Sequence, residues 1–130
     1  MSIARKKLSK ILIVEDEKMI ASAYKKGFGA AGYAVVTAQD GADGFEKAEK
    51  ELPDIIFLDI IMPGTDGLTF LRNLRASEWG KNIPVIVLTN SSDPARAAEV
   101  QRLGVSDFLL KAEWSMGQLM EKVNTRLGAN

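Results

Sequence analysis

An α/β fold, a five-stranded parallel sheet doubly wound by helices in the order 2-1-3-4-5, is predicted by three features of the 130-residue chain. Five short runs are almost wholly apolar, longer segments of helical spacing alternate with them, and glycine or proline falls near the joints. A parallel strand covered on both faces has no wet side, so it reads as a continuous apolar run and not as an alternation. Strands alternating with helices imply βα units, and right-handed crossovers leave only a few strand orders, of which 2-1-3-4-5 is preferred.

The elements follow in order. Ile11 to Val14 is the first run, and Ile20, Tyr24, Gly27, Phe28 and Ala31 then recur at helical spacing before Gly32 closes the helix. Ala34 to Ala38 leads to a second stripe of Phe45, Ala48 and Leu52, and Pro53 stands just before the third run. Ile55 to Leu58 is the third run, and Leu68, Leu71 and Leu74 form the next stripe. Pro84 precedes the fourth run, Val85 to Leu88. Asp93-Pro94 reads as an N-cap followed by proline at the first helical position, where a missing N–H costs nothing, and Gly104 ends that helix. After Phe108 to Leu110, Ser115 can cap a last helix whose apolar face is Met116, Leu119, Met120, Val123 and Leu127, while Glu121, Lys122 and Arg126 fall elsewhere. The chain contains no internal repeat. Residues 1–9, with the cluster Arg5, Lys6 and Lys7, read as a solvated basic tail before one domain over 10–128, with no output domain.

Composition narrows the chemistry. Hydrophobic residues at 46% and charged residues at 26% suit a soluble globular domain. No apolar run approaches the ~20 residues needed to span a bilayer, and the amino-terminal segment lacks a secretory signal, so a cytoplasmic location is expected. There is no cysteine and no histidine, which removes thiolate chemistry, the commonest general base and the commonest transition-metal ligand. With 17 basic against 17 acidic residues, no net field exists to hold a nucleic-acid backbone. Any chemistry must run on carboxylates, hydroxyls and lysine.

In a doubly wound sheet, ligands sit beyond the carboxyl ends of the strands, so the residues just after each run carry the information. They are Glu15, Asp16 and Glu17 after the first, Asp59 after the third, Thr89 after the fourth and Lys111 after the fifth. In the preferred order strands one and three are neighbours, which gathers Glu15, Asp16 and Asp59 at one edge. Three converging carboxylates repel unless one takes a proton or a hard cation binds them, and Mg²⁺ suits an open oxygen site that keeps waters and accepts phosphate. Asp59 can then attack phosphorus, with Lys111 supplying positive charge and Thr89 a hydroxyl donor to the phosphoryl oxygens. Taken singly, each residue has a blander reading, as a helix cap, a turn residue or an edge charge. Their joint placement at one end of four strands favours a site.

The segments Ile11-Leu-Ile-Val-Glu-Asp-Glu, Asp54 to Gly67 (ending Met-Pro-Gly-Thr-Asp-Gly), Pro84-Val-Ile-Val-Leu-Thr89 and Asp107-Phe-Leu-Leu-Lys111 closely resemble the receiver domain of two-component response regulators, the CheY-like (βα)5 or flavodoxin-like fold. The resemblance runs from about Lys10 to Leu127. It implies that Asp59 is the phosphoacceptor, that Asp16, Asp59 and the backbone carbonyl of Ile61 bind Mg²⁺ directly, and that Glu15 reaches it through water. It implies Thr89 as the switch hydroxyl, Lys111 as the phosphate-binding lysine and Phe108 as the aromatic that reorients, although a buried strand phenylalanine needs no special reason. The implied donor is a phosphohistidine on a histidine kinase or phosphotransfer protein, with small acyl phosphates as substitutes. The implied output is a change in the face formed by helix four, strand five and helix five, which would dock a separate effector or a second copy of the chain.

Two residues depart from the family pattern. Lys111 is followed by Ala112 where the family carries proline in a cis peptide, and a cis bond before another residue costs roughly 2.5–4 kcal/mol, so the loop is expected to be trans or strained. Asn90 follows Thr89 where a small residue is usual, and its bulk would restrict access to an acyl phosphate and slow its loss. Competing readings are weaker. A phosphatase of haloacid-dehalogenase type needs a second aspartate two residues after the nucleophile, where this chain has Ile61. A pseudo-receiver would not keep the whole acidic set, and neither glycine-rich nucleotide motif follows any strand.

Overall fold

The computed structural model describes residues 9–60, 66–90 and 94–127. Within them lie β1 (Lys10–Val14), α1 (Lys18–Ala30), β2 (Ala34–Ala38), α2 (Gly41–Glu51), β3 (Ile55–Leu58), α3 (Gly67–Ala76), β4 (Val85–Thr89), α4 (Pro94–Arg102), β5 (Asp107–Leu110) and α5 (Met116–Leu127). All four strand pairings are parallel and the sheet order is β2-β1-β3-β4-β5. The basic cluster Arg5 to Lys7, Ile61 and the Asp93 cap lie outside the described residues.

Alternate side chains of each strand feed two apolar layers, as strand geometry requires. Leu12, Val14, Ile56, Leu58, Val85 and Val87 pack with Ala48 of α2, Phe70, Leu71 and Leu74 of α3 and Val100 of α4. Ile11, Ile13, Ile55, Phe57, Ile86 and Leu88 pack with Phe28 of α1 and with Leu119 and Val123 of α5. Phe28 stacks on Phe57 with ring centroids 5.1 Å apart, which pins α1 to the middle of the sheet.

Helix ends are set locally. Asp40 and Asp66 accept hydrogen bonds from the N–H groups of Asp43 (2.8 Å) and Thr69 (2.9 Å), capping α2 and α3. Ser115 caps α5 as expected, its Oγ accepting from Gln118 N while the Gln118 side chain accepts from Ser115 N. Gly32 (φ +100°) and Gly104 (φ +74°) take the left-handed turns that end α1 and α4.

Two members of the expected stripes are exposed. Ala31 is exposed just past α1, and Leu52 is 56% exposed with φ +47°. Pro53 cannot continue a helix, so the chain must turn at Leu52, which caps α2 in the left-handed region instead of packing. Ala21, buried on α1, takes a place in the core that helical spacing had given to others.

Candidate functional site

The sheet's hydrogen-bond ladder continues one residue beyond β1 and β3, and this positions the acidic groups. Glu15 N donates to the carbonyl of Ala38 at 2.9 Å, and Asp59 N donates to the carbonyl of Val14 at 3.0 Å. Because Val14 pairs with Leu58, the next residues on each strand, Glu15 and Asp59, emerge side by side. Glu15 is 4% and Asp59 7% exposed, whereas Asp16 is half-buried. Glu15 Oε2 also accepts from Glu17 N at 3.1 Å. One carboxylate oxygen from each of Glu15, Asp16 and Asp59 lies within 4.8 Å of the others.

A second constraint holds Asp59 from beneath. Gly67, the first residue of α3, donates its N–H to the carbonyl of Ile60 at 3.0 Å. A Cβ at Gly67 would stand 2.4 Å from the Asp59 carbonyl oxygen and 2.6 Å from the Ile60 Cα. Only glycine lets the helix seat on the backbone of the acidic residue.

Lys111 completes the cluster. The Lys111–Ala112 peptide is trans, as are all peptides among the described residues, and residues Lys111–Glu113 form a 3₁₀ turn. That turn leads the ammonium into the site without a proline, placing Nζ 2.5 Å from Glu15 Oε1 and 3.2 Å from Asp59 Oδ2. Burial pulls the lysine's pKa down, but the hydrogen bond to Glu15 and the charges of Asp59 and Glu15 outweigh it, so the net shift is upward. For Glu15 burial is the larger influence and raises the carboxyl, Asp59 repels it further, and the bonds to Lys111 and Glu17 offset only part. The two directions agree physically, because one ammonium serves more than one carboxylate.

Three formal negative charges face one positive charge, which leaves two unbalanced. The donor set is all oxygen, half-exposed at Asp16, and offers fewer than six ligands, so water and phosphate oxygens can complete an octahedron. These residues fit a divalent hard cation such as Mg²⁺.

The other predicted residues take different places. Thr89 ends β4, is 1% exposed, and pairs with Leu110 next to Lys111. Phe108 is half-buried opposite Val87 and packs against the α2–α3–α4 layer. Asn90 is exposed and lines a cavity of about 420 Å³ with Met19, Ile20, Ala23, Tyr24, Lys111 and Ala112. Helical spacing marked Tyr24 only as a core residue. Its phenol, raised in pKa mainly by burial, also feels the charges of Lys111, Glu15 and Asp59.

The family model for the response regulator receiver domain matches residues 11–124. The chain is 38% identical over 113 residues to the Regulator of RpoS of Escherichia coli K12, an alignment covering 87% of this chain and 33% of that protein. It is 34% identical over 102 residues to the alkaline phosphatase synthesis transcriptional regulatory protein PhoP of Bacillus subtilis, covering 78% and 42%. The chain thus spans about a third to two fifths of these relatives. Among solved structures, chemotaxis protein CheY4 of Vibrio cholerae superposes with a TM-score of 0.84 at 28% identity, covering 92% of this chain and 98% of that one. A response regulator receiver protein from Pseudomonas putida gives a TM-score of 0.86 at 28% identity, covering 93% and 99%. With the sheet order, the acidic cluster and a match running almost the length of the chain, the protein belongs to the response regulator receiver domain family of two-component systems.

Proposed function

We propose that this chain takes a phosphoryl group on Asp59 from a phosphohistidine of a histidine kinase or phosphotransfer protein, with Mg²⁺, and switches its α4–β5–α5 face in response. The observation that carries this reading is the convergence of Glu15, Asp16 and Asp59 within 4.8 Å of one another with Lys111 against two of them. Receiver domains are signalling switches that bind Mg²⁺ at an acidic pocket, so a single phosphoryl event, not turnover, is the output.

In the transfer, an Asp59 oxygen forms a bond to phosphorus as the phosphorus–nitrogen bond of the donor breaks, and the leaving imidazole keeps the electron pair and takes up a proton. Asp16, Asp59 and the Ile61 carbonyl would hold the cation, with Glu15 reaching it through water. When bound, Mg²⁺ offsets charge that develops on the phosphoryl oxygens. Lys111 releases part of its contact with Asp59 and holds one phosphoryl oxygen, while Thr89 donates its hydroxyl to another. Movement of Thr89 lets Phe108 reorient in β5, and the α4–β5–α5 face then favours a different partner, an effector protein or a second copy of the chain. Among the described residues no helix is long and apolar enough to cross a membrane.

The test is a titration with beryllofluoride, a mimic of the aspartyl phosphate, in the presence of Mg²⁺. Trp79, packed on Phe45 at 5.2 Å, and Trp114, with Lys122 Nζ 5.2 Å from its ring, report on the two sides of the sheet by fluorescence. A saturable change lost in Asp59→Asn is expected. An absent response, or one that survives Asp59→Asn, refutes the assignment.

A further inference from the structure

Helix α3 joins the phosphoacceptor to α4 through contacts that the chemistry at Asp59 does not use. Its first residue, Gly67, sits on the Asp59–Ile60 backbone closely enough to exclude a Cβ. Phe70, Leu71 and Leu74 are fully buried along its length, so the helix is anchored as a rigid rod. Toward its carboxyl end Arg72 and Arg75 stand three residues apart and therefore share one face. Arg72 forms an ion pair with Glu99 in the middle of α4. Arg75 donates Nε to the carbonyl of Leu103 at 2.8 Å and NH2 to that of Gly104 at 2.9 Å, the two residues that follow α4. Its NH1 donates to the carbonyls of Gly80 (3.2 Å) and Ile83 (2.9 Å) in the α3–β4 connection.

Arg75 thus holds the two carbonyls just past α4 and ties that end of the helix to the foot of α3. These contacts bear on α4 because few of its described residues are buried. Val100 is its one buried residue among those described. A helix with so few buried apolar groups moves at small cost once its polar ties are released.

We propose that Arg72 and Arg75 form a latch that holds α4 in the position of the unphosphorylated chain, with α3 as the strut that carries a shift of the Asp59 backbone to it. The proposal rests on the reading of Asp59 as phosphoacceptor and of α4 as part of the switching face. Contacts made in one conformation and lost in the other favour the first, so removing them raises the population of the second and the apparent affinity of any ligand that selects it.

The experiment is the beryllofluoride titration with Mg²⁺ on the full chain and its variants. Arg72→Ala and Glu99→Ala are each expected to lower the half-saturating beryllofluoride concentration about two- to five-fold, the size of an exposed ion pair. Combining them should add little, and the exchanged pair Arg72→Glu with Glu99→Arg should restore the original midpoint. Arg75→Lys, which keeps the charge but reaches fewer carbonyls, should shift the midpoint in the same direction. Urea unfolding provides the contrast, because a merely structural role would weaken binding together with stability, whereas the latch predicts tighter binding by a less stable protein. Unchanged or raised midpoints in variants of a responsive parent overturn the latch alone. A parent that does not respond overturns the phosphoacceptor reading, and the latch falls with it.

Discussion

Replacing Gly67 by alanine is the most discriminating single perturbation of the site. On helix propensity alone the change should stabilise α3 by up to ~1 kcal/mol. The structure predicts the opposite. The added Cβ would lie 2.4 Å from the Asp59 carbonyl oxygen, 2.6 Å from the Ile60 Cα and 3.1 Å from the Asp59 carbonyl carbon, where ordinary contact begins at 3.4 Å. The first of these demands 3.4 − 2.4 = 1.0 Å of new space, and all three neighbours are backbone atoms that cannot rotate away. Overpacking of this kind costs about 1–3 kcal/mol, and the rigid surroundings place it in the upper part of that range, leaving a net loss of roughly 1–2 kcal/mol after the propensity gain. The larger effect is on chemistry. Displacing a reacting carboxylate by ~1 Å costs on the order of 10²-fold in rate. Urea unfolding and the rate of Asp59 phosphorylation by acetyl phosphate measure the two effects. Gly29→Ala is the control, because a Cβ there meets nothing within 4 Å, and it should be neutral or stabilising. The reasoning is refuted if Gly67→Ala behaves like Gly29→Ala in both assays.

The remaining predictions concern the carboxylates and their surroundings. Mg²⁺ at ten times its dissociation constant should raise the unfolding free energy measured in urea by about 1.4 kcal/mol; chelation should reverse this and Asp16→Asn should largely abolish it. In the metal-free protein, burial lifts the Glu15 carboxyl above its ordinary 4.5, so folding favours the protonated form. That contribution is complete below 4.5 and lost as pH rises through the raised value, so the parent's stability relative to Glu15→Gln should fall as pH climbs from 4.5; a difference that grows with pH would contradict the burial argument. Asn90→Ala should open the cavity beside Lys111 to water and speed loss of the acyl phosphate severalfold, and an unchanged decay rate would assign the lifetime to other residues.

The runs Ile11 to Val14, Ala34 to Ala38 and Ile55 to Leu58 were legible to within a residue because a strand buried on both faces needs unbroken apolar sequence, and little else in a short chain produces it. Glu15 and Asp59 were legible for the same reason, since each follows such a run at the edge where this topology binds ligands. Leu52 was misread because its spacing suits the stripe of α2, while the neighbouring Pro53 overrules that spacing through the backbone. The missing proline after Lys111 was visible, but the outcome was not. A trans 3₁₀ turn delivers the ammonium to Glu15, and those residues are 96 positions apart.

The sequence by itself determined the fold class, the strand order within a short list, and the identity of the acidic, hydroxyl and basic groups, because periodicity and backbone preference are local properties. Tertiary structure alone decided that Lys111 answers Glu15 as well as Asp59, that Gly67 must lack a side chain, and that Arg75 holds the two carbonyls just past α4. Those facts depend on strand register and helix placement, which bring together atoms that no local pattern relates.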